Sequence, residues 1–289
     1  MKPMTRNHPH ISRRNALRTV AGTALASVAG CLNDGGSSGT PSDGTAATDS
    51  QGPLTRIAVE GTTLVVELSA EADVNQVNFI QPNGELFGKR DVAAGAQQVL
   101  FEIGTTYEPG EYRVVALEGE ESVVETSLPI QPSLSIVEMG IGRNQPEKMW
   151  DGSSDEIAEE AFVTVENRGS GPDAITKLLF LGDVPYPSDE EGTNYANNED
   201  VSGIYDPQSD SEVSEIIVAA GDQVTIYSSR SPFAFVPGSG TSCKDEQQSG
   251  EFELILETPV EEAQLTKNYN IQYSASTEAD NCEITISES

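Results

Sequence analysis

Hydrophobic and polar residues alternate in short runs over residues 54–130, and turn-forming residues separate the runs. Alternation with a period of two places every second side chain on one face of a strand, and no segment shows the longer period of a helix. The predicted strands are Arg56–Glu60, Leu64–Leu68, Gln76–Ile80, Val99–Ile103, Pro109–Ala116 and Val123–Leu128. Evenly spaced short strands favour a small β-sandwich.

The same pattern returns after Gln131-Pro132-Ser133, which reads as a short hinge. A long polar and acidic insertion interrupts it between residues 183 and 212. Residues 131–289 are therefore predicted to form a second, larger β-sandwich. Its predicted strands are Leu134–Ile141, Ala161–Asn167, Ala174–Gly182, Val218–Ile226, Phe252–Glu257, Tyr269–Ser274 and Ile284–Ser287.

Residues 1–31 have the features of an address segment. Arg13 and Arg14 precede a weakly apolar stretch, residues 19–30, that is too short to span a membrane. The arginine pair resembles a twin-arginine signal, and residues 27–31 resemble a lipobox, in which small residues precede a cysteine that accepts lipid. The resemblance implies export, lipidation of Cys31, and a lipid anchor at the outer face of the cytoplasmic membrane.

A low-complexity segment follows the address. Residues 32–53 are nearly all Gly, Ser, Thr, Asp, Ala and Pro. Such a composition cannot bury enough apolar surface to order itself. We expect a disordered linker that holds the sandwiches away from the membrane.

The charge of the chain is strongly negative. It has 47 acidic and 16 basic residues, a net charge of −31, and five of the basic residues lie within the first 30 positions. This surface repels phosphate backbones, which argues against a nucleic-acid partner. It also stays hydrated when salt screens ordinary repulsion. The balance resembles that of exported proteins of halophilic archaea; the alternative is an acidic surface without salt adaptation.

Short sequence motifs in each half of the chain resemble known β-sandwich modules. Residues 109–114, Pro-Gly-Glu-Tyr-Arg-Val, resemble the penultimate strand of immunoglobulin-like modules, which implies that Tyr112 packs at a sheet corner. Residues 163–169, Val-Thr-Val-Glu-Asn-Arg-Gly, and residues 221–226 resemble the CARDB family of adhesion-type β-sandwiches. The acidic insertion and the segment after residue 229 depart from that family. The expected fold is all-β, with two tandem immunoglobulin-like β-sandwich domains, residues 54–130 and 131–289.

Two cysteines remain outside the address segment. Cys243 and Cys282 are 39 positions apart, in a compartment that permits disulfides. A bridge of that span contributes about 4 kcal/mol in the chain-entropy description. Two free thiols or a thiolate pair on a metal are the alternatives.

The absence of histidine limits the available chemistry. His8 and His10 both lie in the address segment. The exported part therefore lacks the imidazole of Ser-His-Asp sites and of histidine-ligated metal centres. Paired carboxylates of a glycoside hydrolase are the remaining catalytic alternative, but no pair stands out among 47 acidic residues. We expect a protein that is not an enzyme.

Calcium is the only cofactor that the sequence suggests. Hard cations take six to eight oxygen ligands, and an acidic loop supplies them. The spacing matches no EF-hand, and the alternative is a solvated acidic loop. The weak calcium candidates are Asp189, Glu190, Glu191, Glu199, Asp200, Asp206 and Asp210.

Two aromatic features complete the sequence analysis. Trp150, the single tryptophan, and residues 233–237 either form an exposed patch for a partner or pack in the core. The leading functional hypothesis is a non-catalytic surface protein that acts through binding, adhesion or envelope interaction, with a surface protein or glycan as partner. The alternatives are an accessory lipoprotein of a transporter or membrane enzyme complex, and a carboxylate-based hydrolase.

Overall fold

The structure is a computed structural model that describes residues 48–49, 52–236, 243–244, 246–260, 263–275 and 282–289. Arg13, Arg14, Cys31 and residues 32–47 lie outside the described residues. The described chain is all-β, as predicted: its helical segments are a 3₁₀ turn, Pro146–Lys148, and one short helix, α1 (Ser154–Ile157). Within the described ranges, no helix has the length and apolarity needed to cross a bilayer.

The first sandwich consists of two antiparallel four-stranded sheets. Their strand orders are β1-β2-β3-β6 and β5-β4-β7-β8. Leaving out the two-residue β1, this is the A-B-E and C′-C-F-G arrangement of immunoglobulin-like modules. The strands are β1 (Thr48–Asp49), β2 (Leu54–Glu60), β3 (Thr63–Leu68), β4 (Gln76–Ile80), β5 (Leu86–Asp91), β6 (Gln98–Glu102), β7 (Gly110–Glu118) and β8 (Glu121–Ile130).

An aromatic cluster fills the core between these two sheets. The Phe79 ring lies 4.9 Å from the Tyr112 ring and 5.4 Å from the Phe101 ring, centroid to centroid. Tyr112 is buried at the start of β7, and its hydroxyl donates a 2.8 Å hydrogen bond to the Glu108 carbonyl. This is the tyrosine corner of immunoglobulin-like modules, so the position predicted for Tyr112 is confirmed.

The second sandwich repeats the plan and adds strands to it. One sheet has the order β14-β13-β16-β10-β9, the other β12-β17-β18-β19, and β11 pairs with β15. The A-B-E-D and C-F-G orders of immunoglobulin domains are present, and β19 extends the second sheet. The strands are β9 (Leu134–Ile141), β10 (Ala161–Asn167), β11 (Asp173–Ile175), β12 (Lys177–Gly182), β13 (Ile204–Asp206), β14 (Ser211–Glu212), β15 (Ile216–Val218), β16 (Gln223–Ser228), β17 (Gln248–Thr258), β18 (Ala263–Ala275) and β19 (Cys282–Glu288).

The core of the second sandwich contains Phe180, Phe233 and Phe252, with ring centroids about 6 Å apart. Phe233 is fully buried and Phe235 is half-buried against the same core, so these two rings are core rather than an exposed patch; Pro237 lies outside the described residues. The predicted disulfide is confirmed: Cys243 and Cys282 are bonded, with their Cα atoms 5.8 Å apart. It ties the connection before β17 to the first residue of β19.

The segment predicted as a hinge is hydrogen-bonded to the second sandwich. The Gln131 carbonyl accepts bonds from the Ser170 and Gly171 amides at 2.8 and 3.0 Å. The Ser133 amide donates to the buried side chain of Asn167. The Tyr107 hydroxyl donates to the carbonyl of Pro172, and Val260 packs into the first core. These contacts brace the connection between the sandwiches on both sides.

Candidate binding cleft

Connections of the second sandwich enclose a cleft of about 890 Å³. The β9–β10 connection forms one wall, the turn after β13 forms another, and the end of β16 closes the floor. Its lining contains aromatic, acidic and hydroxyl side chains. The lining residues are Trp150, Asp151, Gly152, Asp155, Glu156, Glu159, Glu160, Tyr205, Pro207, Asp210, Ser228, Ser229 and Ser231.

Trp150 stands at the centre of an aromatic cluster on the wall. Its ring is half-buried and lies 4.7 Å from the Tyr205 ring and 5.1 Å from the Tyr227 ring. The tryptophan carbonyl accepts a 2.9 Å bond from the Gly152 amide. A Cβ at Gly152 would lie 2.8 Å from the indole nitrogen, so only glycine fits against the ring here. Local packing therefore fixes the indole while part of it remains accessible to a ligand.

Glu160 forms the buried floor of the cleft. The Ser231 amide and hydroxyl donate to its carboxylate at 3.0 and 2.7 Å, and the Ser228 hydroxyl donates to the other oxygen. Burial raises the pKa of Glu160, although the serine hydrogen bonds oppose the shift. Ser231 has a left-handed φ of 43°, and the Glu160 contacts hold it there. The carboxylate thus joins the start of β10 to the end of β16.

A capping box shapes the acidic rim. Ser153 and Glu156 exchange hydrogen bonds across the first turn of α1. The bonds from Ser153 lower the pKa of Glu156, which stays ionised and exposed. This explains how a four-residue helix is held in place beside Trp150.

Tyr205 and Asp210 form the opposite rim. The tyrosine hydroxyl donates a 2.7 Å hydrogen bond to the Asp210 carboxylate. This bond, with a smaller contribution from burial, raises the pKa of Tyr205 to about 12. Asp210 has a left-handed φ of 51°, which turns its side chain back towards the ring. Tyr205 is therefore a neutral donor at any physiological pH.

The lining carries six carboxylates and no basic side chain. None of the six makes a salt bridge within the described part of the chain. The nearest basic residues in sequence are engaged elsewhere: Lys148 pairs with Glu138 and Arg230 with Glu212, both at 2.9 Å. A concave site lined by one sign of charge concentrates the field inside it. The cleft therefore favours a cation.

The calcium candidates of the acidic insertion do not converge. Asp189 and Asp206 accept bonds from backbone amides two residues further on, and so cap their own turns. Glu190, Glu191, Glu199 and Asp200 are exposed. Among the described residues, no group of three or more acidic, His or Cys side chains is arranged to hold a metal ion. Of the seven candidates, only Asp210 lines the cleft.

The acidic insertion folds back onto the second sandwich. Tyr195 is buried against Leu179 and Ile255 on the outer face of the sheet. Its hydroxyl donates a 2.5 Å bond to the Leu178 carbonyl. Lys177, also buried, donates to the Asn198 carbonyl at 3.0 Å. Apolar anchoring and these backbone hydrogen bonds hold the loop against the sheet.

Sequence reasoning missed most of the cleft. Asp151, Asp155, Glu156, Glu159 and Glu160 were not singled out, although they follow the single tryptophan closely in sequence. The Ser153-x-x-Glu156 spacing is a recognisable capping-box signal. It marks the connection as structured, which is the one signal that sequence offers for this wall.

Comparison with known proteins adds little. No protein-family model and no curated protein matches the chain. A β-glucuronidase of glycoside hydrolase family 2 is 13% identical over 81% of this chain and 20% of its own, with a TM-score of 0.21. A two-domain fibronectin type III segment of chicken tenascin is 12% identical over 82% and 97%, with a TM-score of 0.24. A biofilm-associated protein domain is 10% identical over 76% and 28%, at 0.22. Similarities this slight carry no functional argument.

Proposed function

We propose that this chain is an exported, lipid-anchored surface protein that is not an enzyme and binds a cationic partner in the cleft of its second sandwich. One observation carries the proposal. The cleft combines the half-buried indole of Trp150 with six carboxylates and no basic residue in its lining. Arginine side chains of a partner protein suit such a site, because a guanidinium both pairs with carboxylates and stacks on an indole.

The sequence supports display at the cell surface. Arg13, Arg14 and Cys31 have the spacing of an export signal with a lipid-attachment site, and residues 32–53 have the composition of a tether. The resemblance to CARDB modules and the acidic composition fit an adhesion-type protein of a salt-adapted envelope. High salt screens exposed charges over a few ångströms. Contact with the aromatic wall then contributes a share of binding that salt does not remove.

The floor of the cleft supports binding over catalysis. Glu160 has the raised pKa of a general acid, yet both of its oxygens accept hydrogen bonds from Ser228 and Ser231. A carboxylate committed to two protein segments serves to hold them together. The other cleft carboxylates are exposed or half-buried and pair with no histidine, since none exists beyond residue 10.

The single tryptophan makes the proposal directly testable. Because Trp150 is the only one in the chain, its fluorescence reports the cleft alone. We expect saturable changes on titrating the detergent-solubilised chain with triarginine, weaker binding of trilysine, and none of the neutral analogue tricitrulline. Raising the salt concentration should weaken trilysine more than triarginine.

A pair of charge-matched variants locates the site. Asp155→Asn/Glu159→Gln removes two charges from the cleft, and we expect triarginine to bind about tenfold more weakly. Glu120→Gln/Glu121→Gln removes two exposed charges from the first sandwich and should leave the affinity unchanged. No saturable change in Trp150 fluorescence, or equal weakening in both variants, would reject the proposal.

A further inference from the structure

Arg143 contacts three separate segments behind the cleft. It follows β9 and is half-buried. Its Nε donates to the Ala158 carbonyl at 3.1 Å, Nη1 to the Cys282 carbonyl at 2.6 Å, and Nη2 to the Phe233 carbonyl at 3.4 Å. Those carbonyls belong to the cleft wall, to the disulfide-bonded start of β19, and to the segment after Ser231.

The partners of Arg143 are backbone carbonyls rather than carboxylates. It makes no salt bridge within the described residues. Burial lowers the pKa of its guanidinium, an effect that the nearby charge of Glu159 opposes. A planar guanidinium has five donors in a fixed geometry. It is therefore suited to setting the relative position of several carbonyl groups.

Neighbouring contacts reinforce the same connection. The Gly142 amide donates to the Glu160 carbonyl at 2.9 Å, and the Asn144 side chain donates to the Ile284 carbonyl at 2.8 Å. A Cβ at Gly142 would lie 1.9 Å from the Ile157 carbonyl oxygen. The backbone of the wall thus runs directly against the residues that flank Arg143.

Residues 231–233 contact both the cleft wall and the Arg143 side chain. The Phe233 amide donates to the Glu159 carbonyl at 3.1 Å, while Ser231 holds the Glu160 carboxylate. Glu159 and Glu160 are thereby held by the segment that follows β16, and Arg143 holds the carbonyl of Ala158 directly before them. Both are cleft residues.

We propose that Arg143 is a positioning residue through which the Cys243–Cys282 disulfide sets the geometry of the cleft. The disulfide holds the first residue of β19, and the carbonyl of that residue accepts the shortest Arg143 bond. Among the described residues, removing the crosslink leaves this residue held only by its pairing with β18 and by the Arg143 bond. The Arg143 side chain then becomes more mobile, and its hydrogen bonds position the carbonyls of Ala158, in the wall, and of Phe233 less firmly.

Hydrogen exchange tests this link without any ligand. In Cys243→Ser/Cys282→Ser and in Arg143→Lys, we expect the Gly142 and Phe233 amides to exchange at least about tenfold faster, because opening of the wall becomes easier. Trp150 emission should shift in both variants. Amides of β4 and β7 in the first sandwich should keep their wild-type rates. Arg113→Lys, at an exposed ion pair with Glu125, is the matched control and should change neither readout.

The triple variant supplies the decisive comparison. If the disulfide acts through Arg143, adding Arg143→Lys to the cysteine variant produces little further change in wall exchange. Full additivity, or unchanged wall exchange in the cysteine variant, would overturn the inference. Should Arg143→Lys fail to fold, unchanged wall exchange in the cysteine variant would still overturn the inference. The link affects binding only if the cleft is the binding site proposed above; exchange needs no ligand, so the two proposals can fail separately.

Discussion

The two sandwiches have similar strand orders but very different connections. In the first, two residues join β2 to β3 and two join β7 to β8, with Gly61 and Gly119 supplying the left-handed φ of tight turns. In the second, residues 142–160 join β9 to β10 and residues 183–203 join β12 to β13. The long connections carry the cleft and the folded acidic insertion. A sandwich supplies rigidity, and its connections supply the chemistry.

The largest expected effect is a loss of unfolding free energy in only one of the two cores. Phe79→Ala removes the ring at the centre of the first aromatic cluster and should cost about 3–5 kcal/mol of unfolding free energy. Urea unfolding should shift strongly when followed by far-ultraviolet circular dichroism and weakly when followed by Trp150, which lies in the second sandwich. Phe180→Ala, in the second core, should shift the Trp150 curve as well as the circular-dichroism curve. Identical shifts by both probes in Phe79→Ala would mean that the sandwiches unfold as one unit.

A smaller effect is expected at the junction. A Cβ at Gly171 would lie 2.2 Å from the Tyr107 hydroxyl oxygen and 2.8 Å from Ile130. Gly171→Ala should therefore cost about 1–3 kcal/mol by overpacking and displace the Tyr107–Pro172 hydrogen bond. Calorimetry should show two thermal transitions drawn further apart than in the wild type. The control Gly95→Ala changes a glycine with open space around it but a left-handed φ; a similar separation there would contradict the role of the junction.

The smallest effect concerns the pH dependence of the second sandwich. Burial raises the pKa of Glu160 above its ordinary value near 4.5, so the folded state holds this proton more tightly than the unfolded state does. Stability should fall as the pH rises from the ordinary pKa through the raised one. Glu160→Gln lacks this loss, and its stability relative to wild type should grow over that window in urea titrations.

Glu156 provides a comparison of opposite sign. Hydrogen bonds from Ser153 lower its pKa, so its contribution is present above the ordinary pKa and lost as the pH falls through the lowered one. The stability of Glu156→Gln should therefore approach that of the wild type as the pH falls.

The Glu160 prediction has its own contradicting outcome. If the stability difference between Glu160→Gln and wild type did not change with pH, desolvation of the Glu160 carboxylate would not be significant.

Much of the fold follows from local pattern. Period-two alternation located most strands, because one face of each is buried and the other is wet. The resemblance of residues 109–114 to a strand of immunoglobulin-like modules implied that Tyr112 packs at a sheet corner, where its buried hydroxyl bonds to a nearby carbonyl. The disulfide followed from two cysteines in a chain whose first 31 residues predict export to a compartment that permits disulfides. Weaker segments such as β5, whose side chains are mostly exposed, gave no such signal.

The cleft could not be predicted in the same way. It depends on the ends of β9, β13 and β16 meeting, which is a property of sheet order rather than of sequence neighbours. Acidic residues are also so frequent that their density does not single out a site: the insertion was open to a weak cation site or to a solvated acidic loop, and in the structure Asp189 and Asp206 cap their own turns. Nothing in the sequence distinguishes Glu160 from the other glutamates, because the serines that bond to it, Ser228 and Ser231, are far away along the chain.

The pairing of Thr48 and Asp49 with Ile57 and Arg56 has a mechanical consequence. If Cys31 carries the anchor, a pulling force on the protein reaches the first sandwich through β1. Because only two residue pairs hold β1 at the edge of its sheet, we expect β1 to separate before force reaches the core strands. Each released residue adds about 3.4 Å of extended chain. Detachment of β1 would therefore lengthen the tether slightly and reduce the force on the folded domains.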